Sequence, residues 1–368
     1  MSHIHNFSVN STCTILSCSY KEFSDIFDKT VYTTDELVRK VLEDIISPHR
    51  DYLRAATANY RLDELLSSML EFAPDPLGRR YVAVALLIAG KNGVDAVVEI
   101  GNAWMKYLFL PMLVMYKTDK VPSSNETPTL DDIPANIDNA SQPSQRTLTA
   151  EVSTREEHRC AITRSIDRNY VHELDKKGLA EELPNVPRTF MEVAHIIPCA
   201  LSPSDEFFSN GPNSKAADNA RDMFLSWTHI DVQKLAGSNI NLPTNAIYMT
   251  INEHVFFRQF VFYLDEEAYP DNPNKYKARV ANERLDTFSN GSKSSTVEFR
   301  SLEECGIDPP DPEFIKIHAA FAKVVHLSGA AEYLERLEEE AEANEDLFLE
   351  DKIDFSACLA SKLSAIAF

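Results

Sequence analysis

The chain has 368 residues, 44% of them hydrophobic, which is enough for two modest cores or one core with extensions. Its formal charge of −21, from 36 Lys+Arg against 57 Asp+Glu, opposes the broad electrostatic attraction used by sequence-independent nucleic-acid binders. No run of about eighteen apolar residues occurs, so no membrane span is expected, and the ten glycines form no phosphate-cradling loop.

Taken in chain order, the segment from Met1 to Asn6 lacks the basic start and apolar core of a secretory signal. Thr33-Thr34-Asp35-Glu36 reads as a capping box, and Leu37, Val38, Val41, Leu42, Ile45 and Ile46 recur behind it at helical spacing until Ser47-Pro48. A second amphipathic stretch runs from Asp51 to Phe72 and a third from Arg80 to Ala89. Gly90 and Gly93 punctuate before an apolar stretch whose densest part, Trp104 to Tyr116, reads as a buried helix. Residues 1–118 are therefore expected to form a helical domain, which could also receive a protein partner.

Residues 119–150 turn to Pro, Ser, Asn, Thr and Asp. Such a composition buries too little surface to offset its ordering entropy, so a flexible linker is expected. Residues 151–304 mix short apolar runs with turn signals. Asp311-Pro312-Glu313 supplies a helix cap and a proline at a first helical position, with Phe314, Ile317, Phe321 and Val324 on one face behind it. Residues 305–338 are expected to be helices packing on the preceding domain, and 339–368 a solvated acidic tail. The fold class expected is α+β, a helical amino-terminal region joined by a linker to a mixed domain.

Six cysteines, at 13, 18, 160, 199, 305 and 358, include no C-x-x-C pair, which points to reduced thiols inside the cell, in nucleus or cytoplasm. Charge is unevenly spread. Residues 151–300 carry 17 Lys+Arg against 22 Asp+Glu, and the flanks carry 19 against 35. The acid lies mostly outside the region that holds the candidate chemistry.

That chemistry rests on few residues. Met191 to Ile197 reads as a strand ended by Pro198, and Asn245 to Thr250 as a second strand. Thr250-Ile251-Asn252-Glu253 reads as another capping box, which places His254 in the first turn of a helix carrying Phe256, Phe257 and Phe260. A long excursion from Cys199 to about Leu242, with Trp227, His229 and Asp231, separates the strands. Each residue also has a plain structural reading. A histidine beside Val and Ile is commonly a hydrogen-bonded core residue, Asn245 after Pro243-Thr244 suits a turn, and His254 suits a surface. Cys160 has no partner for a zinc knuckle. His229, His318 and His326 fit core or surface positions.

Read together, Cys160-Ala-Ile-Thr163, Glu192-Val-Ala-His195-Ile-Ile-Pro198 and Asn245-Ala-Ile through His254-Val-Phe-Phe257 resemble the HNH nuclease domain of the ββα-metal superfamily found in many fungal proteins. The segment from Pro312 to Tyr333 is similar to the stretch carboxy-terminal to the core in fungal members. The resemblance covers roughly residues 155–335. It implies that His195 acts as general base on water, a task suited to a near-neutral side chain. It implies that Asn245 braces the hairpin behind that base, and that His254 binds a divalent cation, Mg²⁺ or Mn²⁺ first and Zn²⁺ as an alternative. Nucleic acid is the implied partner, DNA ahead of RNA.

Two positions depart from the family pattern. Ala194 stands where a metal-binding Asp or His commonly precedes the base. Arg258 stands where a second ligand often comes one helical turn after the first. Arg258 could instead grip a phosphate oxygen. Glu192 is a further candidate ligand, although two residues along a strand displace it by about 6.6 Å from Ala194. These departures motivate an alternative reading, an inactive HNH-fold scaffold for protein contacts or regulation.

Overall fold

The computed structural model describes residues 9–28, 31–113, 145–179, 184–198, 214–230, 234, 237–272, 274–281, 287–300 and 306–342. The chain divides into two compact units. One gathers residues 1–118, 210–230 and 323–368, and the other gathers 119–209 and 231–322. Among the described residues no helix is long and apolar enough to cross a membrane.

The first unit is helical: α1 (Asn10–Ile15), α2 (Tyr20–Phe27), α3 (Thr34–Val41), α4 (Arg50–Ala55), α5 (Leu62–Glu71), α6 (Pro76–Lys91) and α7 (Val94–Trp104). The expected capping box is complete. Glu36 N–H donates to Thr33 Oγ1 at 3.2 Å, and Thr33 N–H donates to Glu36 Oε2 at 2.7 Å. α3 continues as a wider turn over Leu42–Ile46. The stretch expected to run from Asp51 to Phe72 is broken between α4 and α5, where Thr57 Oγ1 donates to the Tyr60 carbonyl. Short polar side chains there compete with the helix for backbone partners.

The core of this unit is α6, whose residues from Tyr81 to Leu86 are buried to within 1%. Gly93, at φ 108°, supplies the left-handed turn before α7 that a side chain would strain.

The long excursion between the two strands supplies a helix to this same unit. Ahead of that helix in the chain lie α8 (Gln145–Arg155) and α9 (Arg168–Lys176), which belong to the second unit; the excursion helix is α10 (Ser214–Thr228). Trp227 of α10 donates its indole N–H to the Met69 carbonyl at 3.2 Å and sits edge-on to Phe109 at 5.4 Å. A Cβ on Gly78 would lie 1.8 Å from the Trp227 carbonyl oxygen, so α6 and α10 meet only because position 78 has no side chain.

Among the described residues the second unit holds seven short strands: β1 (Ile166–Asp167), β2 (Arg188–Thr189), β3 (Met191–His195), β4 (Ala246–Thr250), β5 (Phe262–Asp265), β6 (Lys275–Val280) and β7 (Ser295–Glu298). β1 and β2 pair in parallel, while β3 with β4 and β5-β6-β7 form antiparallel sheets. In the β3–β4 pair Glu192 faces Met249 and His195 faces Ala246. α11 (Ile251–Arg258) continues directly from β4, so strand, excursion, strand and helix come in the expected order.

α8 begins inside the segment expected to be a linker, whose residues 119–144 lie outside the described ones. Leu148 and Val152, one helical turn apart, bury against Val193, Ala246 and Tyr248. Two apolar residues at that spacing anchor a helix whose composition is otherwise polar. α12 (Pro312–Ser328) starts where expected, with Asp311 Oδ1 accepting from Glu313 N–H at 2.9 Å. α13 (Ala330–Glu342) falls in the first unit rather than on the HNH-like part. The acidic tail from residue 343 lies outside the described residues. The molecule is thus of mixed α and β structure, with a helical amino-terminal region.

Candidate functional site

The β3–β4 pair is held from behind by one amide. Asn245, fully buried, accepts the Ile197 N–H at Oδ1 (2.8 Å) and donates from Nδ2 to the carbonyls of Ile197 (2.9 Å) and Ile240 (3.0 Å). Its own carbonyl accepts the Ile196 N–H at 2.9 Å. Asparagine suits the post because one side chain both accepts and donates, so it ties Ile197 down at both backbone atoms.

His195 lies at the end of β3, 4% exposed, with Nε2 3.2 Å from Asn241 Oδ1. That oxygen only accepts, so the bond places a proton on Nε2 and leaves Nδ1 with the lone pair in the neutral ring. Asn241 is a hydrogen-bonding neighbour of His195 that sequence reading missed. It lies in the excursion, four residues before Asn245, with no pattern to single it out.

The second group of residues gathers at the other end of β3. Thr250 accepts the Glu253 N–H at 3.3 Å and starts α11. The box expected there is not reciprocal. Glu253 takes the Thr250 hydroxyl at Oε2, and its Oε1 accepts the Ser289 N–H at 2.8 Å. His254, 3% exposed, donates from Nδ1 to Glu192 Oε2 at 2.6 Å. This bond, with the attraction of Arg258, holds the Glu192 carboxyl below its usual range, against the opposing pull of burial. Arg258 therefore bears on the same carboxylate as His254, one turn further along α11.

The described contacts thus form two clusters on one strand: His195 with Asn241 and Asn245, and Glu192 with His254 and Arg258. Three residues of extended chain, roughly 10 Å, separate Glu192 from His195. Ala194 between them is completely buried.

No group of three or more His, Cys, Asp or Glu side chains able to hold a metal ion occurs among the described residues. The donor set is therefore too small for a closed zinc site, which takes three or four protein ligands. It fits a hydrated hard cation, which keeps several waters and leans on one carboxylate and the substrate phosphate. A carboxylate on Nδ1 of a histidine is also the usual way to aim Nε2 at a cation.

The remaining candidates are structural. Cys160 is buried and accepts the Thr163 N–H at Sγ (3.4 Å). His318 is buried, stacked on Phe257 at 3.7 Å, and its burial lowers its pKa to about 3.

Residues 160–265 match the sequence family described as HNH endonuclease. The matched stretch contains β3, β4, α11 and every residue of both clusters. No curated protein and no solved structure shows a significant match to the chain. The match supports an HNH nuclease domain and, with it, action on nucleic acid. HNH endonucleases generally use a divalent metal, and no particular ion is indicated here.

Proposed function

We propose that the second unit is a metal-dependent endonuclease centre that hydrolyses phosphodiester bonds, with His195 as general base. The observation that carries this reading is the fixing of His195: Asn241 sets its tautomer, while Asn245 holds the chain two residues beyond it at both the N–H and the carbonyl of Ile197. On this reading Nδ1 takes the proton from the attacking water, and Asn241 steadies the imidazolium that forms. Asn245 is a positioning residue, since it acts through Ile197.

His254 Nε2 would hold Mg²⁺ or Mn²⁺, with Glu192 aiming the ring through its bond to Nδ1 rather than as a direct ligand, and the cation when bound stabilises charge on the phosphate and leaving oxygen. Arg258 is assigned to a non-bridging phosphate oxygen, which its guanidinium can grip by charge-assisted hydrogen bonds. DNA is proposed ahead of RNA. An intracellular setting agrees with the free thiols of Cys13, Cys18 and Cys160. Kinship with fungal members is proposed from the resemblance over residues 155–335, of which Pro312 to Tyr333 lies outside the matched stretch. The helical unit is proposed as the part that meets a protein partner.

The test is nicking of supercoiled plasmid by the purified full chain with Mg²⁺ or Mn²⁺. His195→Ala is expected to lower the rate by at least about 100-fold, as loss of a general base does. Equal nicking by this variant would refute the assignment. A second reading, a silent HNH-fold scaffold, is favoured by the buried Ala194 and the small donor set. It requires that Mn²⁺ leave the melting temperature unchanged, whereas a Mn²⁺ shift that disappears in His254→Ala rules it out.

A further inference from the structure

Arg155, the last residue of α8, is a charged side chain with no exposed surface. Its donors point in four directions. Nη1 donates to the carbonyls of Pro243 (2.7 Å) and Asp308 (3.0 Å), Nη2 to the carbonyl of Ala246 (2.6 Å), and Nε to Glu156 Oε1 (2.9 Å). Pro243 and Ala246 flank Asn245. The guanidinium therefore grips the chain on both sides of the amide that braces the hairpin, and ties it to α8 and to the segment entering α12.

The consequence is specific. The side-chain hydrogen bonds described at His195 and at Ile197 come from the arm between Ile240 and Ala246. Asn241 binds the ring, and Asn245 binds Ile197 at both backbone atoms. The arm is made of two short 3-10 turns, Gly237–Asn241 and Pro243–Asn245, which have weak internal hydrogen bonding and need outside support. Arg155 supplies it at two carbonyls.

We propose that Arg155 is a positioning residue for His195, acting through the 240–246 arm. Buried ion pairs are poor stabilisers, because desolvation offsets most of the attraction, and an apolar residue of similar volume often serves stability as well. What an apolar residue cannot do is fix three carbonyls from two chain segments in one plane. Lysine cannot either, since its ammonium is a compact point charge rather than a planar fork. The geometry of Arg155 thus points to registration of the arm rather than to bulk stability. The catalytic part of this proposal rests on the nuclease reading; the part concerning the arm does not.

The experiment compares the full chain with Arg155→Lys and Arg155→Met by residue-resolved amide hydrogen exchange and by plasmid nicking. Faster exchange at Ile197 and Asn245 is expected in both variants, with rates in the β5–β6 pair, such as Ala278, unchanged. In nicking, kcat is expected to fall by about 100-fold, the cost of a misplaced catalytic group. KM should stay within about twofold, because Arg155 does not bind substrate. A folded variant with unaltered exchange at Ile197, exchange raised evenly through the unit, or an unchanged kcat in an active enzyme overturns the proposal.

If the wild-type chain does not cut nucleic acid, the nuclease reading fails and the exchange comparison alone decides the role of Arg155. If neither variant folds, native-state exchange of the wild type in rising denaturant replaces it. The Arg155 Nε–H and the Ile197 N–H should then open together with one denaturant slope, and Ile197 opening first defeats the idea.

Discussion

Asn245, fully buried, gives every polar atom of its side chain to the backbone. Substitution by alanine would leave the Ile197 N–H and two carbonyls unpaired. Each stranded buried group costs about 1–3 kcal/mol, so Asn245→Ala is expected to lower unfolding free energy by roughly 3–5 kcal/mol. Asn245→Asp keeps the bond to Ile197 N–H, loses both donated bonds, and should fall between wild type and alanine. Urea denaturation at neutral pH measures this, and a loss under about 1 kcal/mol in Asn245→Ala would deny the amide its bracing role. The types and order of His195, Asn245 and His254 suffice to mark an HNH-like pattern, and all three lie within the matched stretch 160–265. The bond between Glu192 and His254 was not legible, since it joins residues 62 positions apart. Strand spacing alone placed Glu192 too far from Ala194's post. It does not tell that the carboxylate meets the imidazole of a helix lying across the hairpin.

Between elements, α12 meets α11 through one histidine. His318 stacks flat on Phe257, lies 4.9 Å from Phe260, and donates from Nε2 to the Phe257 carbonyl at 3.1 Å. Its pKa falls from 6.5 to about 3, chiefly through burial, and His158, stacked on Tyr170, falls to about 4 for the same reason. A histidine kept neutral in the fold but free to charge when unfolded means that the unfolded chain binds more protons below pH 6.5. Stability contributed by these residues is therefore whole above pH 6.5 and drains as pH falls toward the folded values, by up to about 1.4 kcal/mol per pH unit for each. Glu156 and Asp167, raised by burial, act with the opposite sign, so the comparison has to be made against a variant. His318→Leu should lose less stability than wild type between neutral pH and about pH 4.5 in urea titrations. Equal losses would show that the ring is not held neutral.

At this scale the sequence was a fair guide where periodicity was strong. α3, α6, β3, β4 and the start of α12 agree with apolar spacing and caps. α8 was hidden because only Leu148 and Val152 carry it, and the break before α5 was hidden because both flanks are amphipathic. Helical periodicity continues across such a break without marking it.

For the whole molecule, the reading of two parts, one helical and one HNH-like, agrees with what composition and motif allow. The linear order of those parts does not describe the units, because packing brings 210–230 and 323–342 together with the first hundred residues. Nothing in a local window of sequence tells which core an apolar face will join. Met223, Phe224 and Trp227 of α10 are buried in the helical unit, within 3% exposure. A fragment spanning 145–322 is thus expected to carry α10 with its apolar face uncovered, to bind a hydrophobic dye and to elute as aggregates on gel filtration. A monomeric, dye-silent fragment would show that α10 can be covered without the helical unit.

That arrangement bears on heredity as well as on bench work. A domain that sits in one uninterrupted stretch of gene can be copied into a new host protein by a single insertion. Here the coding sequence for α10 is stitched between the two strands that carry His195 and Asn245, so neither portion can be transplanted whole without a piece of the other. A side chain placed at Gly78 is therefore expected to require a compensating shift of the helix that carries Trp227, on the other side of the stitch.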